Sequence, residues 1–325
     1  MRMQHLKLAG AVALLALLAW SPGSARADAL LTGFQKGGSP GKFVDFLNPV
    51  TLGELGKAIT LTPDQAVGIA VGNGNVYVSY NSGSSGQIAR YDLNGNFLSS
   101  IGAGGINTVS ALAFDNNTLY VGLKLGASGA TFIDTLDPTS LLELGKSIHT
   151  PDPVIGLAVN GDNVYATFDD GVAGQIARYD LDGNLLNQIG VGNSNTVGPL
   201  AFGNNTLYVG FELGTSPGTF VDMLDPTTLA ELGKYINLTP NGPVGLAFGD
   251  DSIFVSYDDG VAGQIARYDL DGNLLTSIGV GNTSTIGPLA YLSDASVRVP
   301  EPAPLAGLGI GLLGLVLVRR QRVVA

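Results

Sequence analysis

Imidazole and thiol chemistry is scarce in this chain, whose 325 residues hold two histidines, His5 and His149, and no cysteine. His5 falls in a basic, apolar N-terminal leader, so a Ser, His, Asp triad or a histidine-bound metal would rest on His149 alone. We read His149 as an exposed loop histidine. Carboxylates are plentiful by contrast, and two arrangements stand out. The pentapeptide DLDGN at 180–184 and 269–273 sets oxygen ligands at alternate positions, as a calcium loop begins. Neither copy has the distal Glu that closes such a loop, and the related DLNGN has Asn94 in place of the middle Asp. Asp-Gly between apolar runs is the chemistry of a tight hairpin instead. The pairs Asp169-Asp170 and Asp258-Asp259 offer carboxylates to a divalent cation, yet they too fall at expected hairpins, where solvent satisfies them.

These groups recur because the chain repeats. DDGVAGQIARYDLDGNLL at 169–186 returns letter for letter at 258–275, with a looser copy at 81–98. A second set, KFVDFLNPVTLGELGK, TFIDTLDPTSLLELGK and TFVDMLDPTTLAELGK, follows the same period of about 88 residues. Within it a shorter signal, GIAV, ALAF, GLAV, PLAF, GLAF and PLAY, sets Ala70, Ala113, Ala158, Ala201, Ala247 and Ala290 about 44 residues apart. Each unit holds four short runs suited to strands, separated by turn residues. Four antiparallel strands per unit of this length are the mark of a propeller blade.

Six such signals imply six blades, but PLAYLSD at 288–294 is followed by no further strands of its own. The missing three open the repeat region, as ALLTGFQKGGSPG at 29–41, KFVDFL and LGKAITL. The expectation is an all-β, six-bladed β-propeller whose N- and C-terminal strands share one blade, so that no sheet edge is left open at the chain ends. Its innermost strands are apolar, which leaves channel ligands to the loops at Asp64, Asn107, Asp152, Asn195, Asn241 and Thr283, and no subset stands out. Arg90, Arg178 and Arg267, with Glu54, Glu143 and Glu231, are candidates for structural interblade ion pairs.

Both ends read as address segments. Arg2 and Lys7 precede an apolar run from Leu8 to Trp20 and then Ala25-Arg26-Ala27, a secretory signal peptide over 1–27 with its small-x-small cleavage site at Ala25 and Ala27. The propeller is expected over 28–294 and a linker over 295–299. From 300 to 325 come Pro300, Glu301 and Pro302, an uncharged run at 303–318, and Arg319, Arg320 and Arg322. At about 1.5 Å per residue that run reaches about 24 Å, so a transmembrane helix there is a short one for a core of roughly 30 Å. Between Arg26 and Arg319 ten Lys and Arg face 27 Asp and Glu, a formal balance of −17. Such a surface repels phosphate backbones and argues against nucleic acid as a partner.

The tail resembles the sorting signal of PEP-CTERM proteins, with its Pro-Glu-Pro motif, short apolar run and terminal arginines in order. The resemblance implies export, a transient inner-membrane anchor, processing by an exosortase, and a cell-surface or extracellular destination linked to exopolysaccharide or biofilm. VGIAVGNGNVYVSYNSGSSGQIARYDLNGNFLSSIG at 67–102 resembles an NHL repeat, which implies a six-bladed ring used as a binding platform or, less often, as an enzyme. The leading expectation is a non-catalytic, matrix- or surface-associated module with no catalytic residues and no cofactor. The alternative is a lactonase or related hydrolase with calcium in its central channel.

Overall fold

The computed structural model describes residues 28–35, 42–61, 64–83, 85–105, 107–169, 172–192, 195–213, 218–238, 242–258, 262–280 and 285–293. The leader, with Ala25 and Ala27, and the tail, with Pro300, Glu301, Pro302, Arg319, Arg320 and Arg322, lie outside them. The described residues form strands and turns, with no helix among them.

Turn pairs such as Asn73-Gly74, Asn116-Asn117, Asn204-Asn205 and Asp250-Asp251, all at positive φ, cut the chain into strands of six to eight residues. Blade one holds β1 (Ala29–Gln35), β2 (Lys42–Leu47) and β3 (Glu54–Leu61). Blade two is β4 (Ala66–Gly72), β5 (Asn75–Ser82), β6 (Ser85–Asp92) and β7 (Phe97–Gly102). Blade three follows as β8 (Thr108–Asp115), β9 (Thr118–Lys124), β10 (Thr131–Leu136) and β11 (Glu143–Thr150). Blade four is β12 (Val154–Asn160), β13 (Asn163–Asp169), β14 (Gly174–Asp180) and β15 (Leu185–Gly190). Blade five is β16 (Thr196–Gly203), β17 (Thr206–Leu213), β18 (Gly218–Leu224) and β19 (Glu231–Asn237). Blade six is β20 (Pro243–Gly249), β21 (Ser252–Asp258), β22 (Gly263–Tyr268) and β23 (Leu274–Gly279).

The last strand, β24 (Thr285–Leu292), completes blade one in the order β24-β1-β2-β3. Leu30 pairs with Tyr291, Leu31 with Ala290 and Thr32 with Leu289, and the Tyr291 hydroxyl donates to the Asp28 carboxylate at 3.0 Å. The ring is therefore closed by a blade built from both ends of the repeat region, as expected.

Each of the six apolar clusters draws on two neighbouring blades, so the core lies between the sheets rather than within any one of them. Tyr77, Tyr165 and Phe254 are fully buried and stack on Phe114, Phe202 and Tyr291 of the next blade, with ring centroids 5.7, 5.9 and 5.6 Å apart.

The joints alternate in kind. Within the pairs two and three, four and five, six and one, a turn of the second blade plugs into the first. Leu141, Leu229 and Leu52 sit at φ of 60°, 58° and 57° and are buried against Tyr77, Tyr165 and Phe254. A left-handed leucine costs about 1–2 kcal/mol. The Asp137 carboxylate holds one such turn by accepting from the N–H of Thr139 and of Ser140, and Asp225 holds another from Thr227 and Thr228. Here the structure corrects the expected Arg–Glu pairs. Arg90 donates to the carbonyls of Pro138 and Thr139 at 3.2 and 2.7 Å, and Arg178 to that of Thr227 at 3.0 Å. The turn carbonyls project into the neighbouring blade and capture the guanidinium first; Arg267 lies 3.9 Å from Asp250. Between pairs, exposed bridges join Lys146 to Asp182 at 3.0 Å and Lys234 to Asp271 at 2.8 Å, contacts of a kind that adds little stability. The ring is a cycle of three blade pairs.

Candidate functional site

The natural place for a ligand in a ring of blades is its axis. Each inner strand has one partner in its sheet, so its second edge faces the central channel and the neighbouring blade. The upper section encloses about 60 Å³, and its wall alternates Val67, Ile155 and Val244 with Ala111, Pro199 and Pro288. The lower section, of about 170 Å³, is open to solvent and reaches Val71, Phe114, Val159, Phe202, Phe248 and Tyr291. No Asp, Glu, His, Lys or Arg is among the described residues of either lining.

What sets the bore is a close seam between adjacent inner strands. A Cβ on Gly68, Gly156 or Gly245 would lie 2.6 to 2.7 Å from backbone of the next blade. The buried hydroxyls of Ser79, Thr167 and Ser256 donate across this seam to the carbonyls of Ser110, Gly198 and Gly287 at 2.6, 2.6 and 2.7 Å. Side chains therefore answer edge carbonyls that a sheet partner would otherwise take.

Of the residues expected at the channel mouth, Asp64, Asn107, Asp152 and Asn195 lie just before or at the start of inner strands, and two of them are held by hydrogen bonds to nearby backbone. Asn107 donates to Ala103 O and accepts from the Gly126 N–H, and Asn195 donates to Val191 O. The Asp152 carbonyl accepts from Thr150, while one carboxylate oxygen of Asp64, Oδ2, is buried without a hydrogen-bond partner. Asn241 and Thr283 lie outside the described residues, as do Asp170 and Asp259; Asp169 and Asp258 end β13 and β21. Among the described residues no three His, Cys, Asp or Glu side chains gather as a metal site would require.

The DLDGN segments are built as turns. Asp180 Oδ1 accepts from the N–H of Asp182 and of Asn184, its Oδ2 accepts from the Asn184 amide, and Asp92 and Asp269 repeat the pattern. These bonds, the Asn side-chain amide foremost, hold all three carboxyls below the usual aspartate range. His149 departs from the loop reading: it is exposed on strand β11, with its ring 4.6 Å from that of Phe132.

Sequence reasoning missed another acidic set. Asp45, Asp134 and Asp222 occupy equivalent places on the third strands of blades one, three and five. Burial first pushes Asp45 and Asp222 up to about 6, and the charge of Glu54 or Glu231 adds to it, against one N–H bond from Met223 in the case of Asp222. Asp134 is raised by burial and then by Glu143. The available signal was the Asp common to KFVDFL, TFIDTL and TFVDML on otherwise apolar strands.

The fold and channel define a six-bladed β-propeller of paired blades. Among solved structures it is similar to a protein of unknown function from Bacteroides caccae, with a TM-score of 0.61 and 12% identity over 82% of this chain and 99% of that one. A chain of a nidogen/laminin complex gives a TM-score of 0.54 at 15% identity, over 82% of this chain and 99% of that one. A chain of a mitotic checkpoint complex gives 0.53 at 15% identity, over 79% and 77%. At these identities the likeness is one of fold. No protein-family model matches the chain, and no protein of curated function matches it in sequence.

Proposed function

We propose that this chain is an exported, surface- or matrix-associated propeller that acts as a non-catalytic binding and structural ring. Its PEP-CTERM-like tail is recognised by an exosortase after the export machinery has passed the body across the inner membrane. The propeller then joins exopolysaccharide or surface proteins. The observation that carries the non-catalytic half is the channel wall, apolar side chains and backbone edges around a narrow bore. Export and sorting rest on Pro300, Glu301, Pro302, Arg319, Arg320 and Arg322.

Two measurements test the proposal. In the native host, mass spectrometry of the surface-located protein is expected to find a C-terminus near Pro300 to Pro302; a surface form still carrying Arg319 to Ala325 refutes sorting by cleavage. A panel of lactones and esters, with and without calcium, is expected to show no turnover. Turnover that a chelator and an Asp64→Asn change both abolish establishes the calcium hydrolase instead, with the buried oxygen of Asp64 as one ligand.

A further inference from the structure

Between blades two and three the sheets leave a cleft of about 80 Å³, walled by Ile101, Ala103, Val121 and Leu123, with Asp134 and Glu143 also in its lining. Two of these wall residues are smaller than their counterparts in the other blade pairs. Where Ala103 stands, the sister pairs have Val191 and Val280; where Leu123 stands, they have Phe211 and Phe34. The strand registers confirm the second correspondence, because Leu123, Phe211 and Phe34 lie opposite Phe132, Phe220 and Phe43. Phe211 stacks on Phe220 with centroids 5.3 Å apart, whereas Phe132, facing the smaller leucine, lies against His149 at 4.6 Å.

Of three like joints this one has the smaller residue at two facing positions, an arrangement that leaves room in the wall and ordinarily costs stability. The same seam differs in polar pairing. Arg90 Nε and Ser99 Oγ, two cross-strand pairs along from Ile88 and Ile101, are buried without a partner. In the sister pairs the equivalent guanidinium nitrogens of Arg178 and Arg267 donate to Asn163 and Ser252 at 2.8 and 2.9 Å.

The size and chemistry of the cleft define its ligand. Its volume is about half that of a cavity of about 150 Å³ that admits benzene, so an aliphatic group of about three to five heavy atoms fills it. Carboxylates at an apolar wall favour a cation with a hydrocarbon body, since the ammonium answers the charge while the chain leaves water. We propose that this cleft binds a small primary alkylammonium ion, its chain against Ala103, Val121 and Leu123 and its charged head toward Asp134 and Glu143.

Calorimetric titration of the full chain with n-butylammonium chloride at neutral pH tests this. Saturable binding is expected. Leu123→Phe and Ala103→Val, which place there the residues of the sister pairs, add three and two carbons and are each expected to weaken it by about tenfold or more, since even one methylene of lost room has that effect. Asp134→Asn is expected to weaken it comparably, and Asp222→Asn, on the sister blade five, to leave it unchanged. Melting temperatures at or above that of the parent show that the filled variants fold; if Leu123→Phe does not, Ala103→Val carries the comparison. No saturable heat, unchanged affinity in the folded filled variants, or equal affinity for 1-butanol overturns the proposal.

Discussion

Thr167 joins two blades through one oxygen. Its buried hydroxyl accepts from the Gly156 N–H at 2.8 Å and donates to Gly198 O at 2.6 Å. Thr167→Val keeps the shape and removes both bonds, leaving a buried donor and a buried acceptor unanswered, so a loss of about 1–3 kcal/mol is expected in urea unfolding. Thr167→Ser, the residue found at Ser79 and Ser256, is expected to retain most of the stability. Asp222, buried, and Asp45, half-buried, act through pH. Asp45 and Asp222 have native values of about 6 against an ordinary 3.8, so the native state holds protons that the unfolded state releases. Their contribution is full below 3.8 and is lost as pH rises through about 6. The turn aspartates Asp92, Asp180 and Asp269 are lowered, so theirs is present above 3.8 and fades as pH falls. From these groups stability is greatest near the ordinary aspartate value, about pH 4, and falls as pH rises toward about 6. Asp222→Asn should raise the melting temperature at pH 7.5 more than at pH 4.5; an equal change at both would show that its ionisation is not the cause.

Strands carry their information in what they pack against, and the inner and outer strands differ sharply. On β12 a Cβ at Gly156 would meet Gly198 O at 2.6 Å and Leu200 N at 2.8 Å, both backbone, so one of two inner strands must move. Gly156→Ala is expected to destabilise by about 1–3 kcal/mol, the range for an overpacked core. On the outer strand β15 a Cβ at Gly190 meets nothing within 4 Å, so Gly190→Ala is expected to stay within about 0.5 kcal/mol. Chemical denaturation of the two variants side by side separates them. This contrast also explains what could be read from the chain beforehand. The inner strands, apolar and tied to the repeated GIAV-type signal, were legible to within a few residues, and so was the closure by Ala29–Gln35. The outer strand β11 buries only Ile148 and Thr150 of its eight residues, so His149 looked like part of a loop. Arg90 was misassigned for a related reason: a glutamate that opens an outer strand, such as Glu143, is visible in the sequence, whereas a carbonyl presented by a left-handed turn of the next blade is not. The cleft at Leu123 was hidden because its walls come from two blades, and only their apposition shows that both truncations face the same space.

At the scale of the ring, closure replaces disulfides as the means of holding the ends. Deleting residues 28–40 removes β1, whose Ala29, Leu30 and Leu31 are 3%, 0% and 0% exposed, and leaves β24 and β2 without their common partner. Burial of the two leucines alone contributes about 3–6 kcal/mol, comparable to the whole margin of many domains. The truncated protein is expected to lose its cooperative thermal transition by circular dichroism; a melting temperature equal to that of the intact chain would show that the ring does not depend on this strand. The position of β24 has a mechanical consequence as well. A pull on the chain beyond Ser293 acts along β24, and the hydrogen bonds of an antiparallel pair stand perpendicular to such a pull. The six registered pairs between β24 and β1 are thus loaded together in shear, whereas an outermost strand would peel from the rim one bond at a time. Tension on this end meets the ring at its inner wall, in the geometry where a strand is hardest to extract.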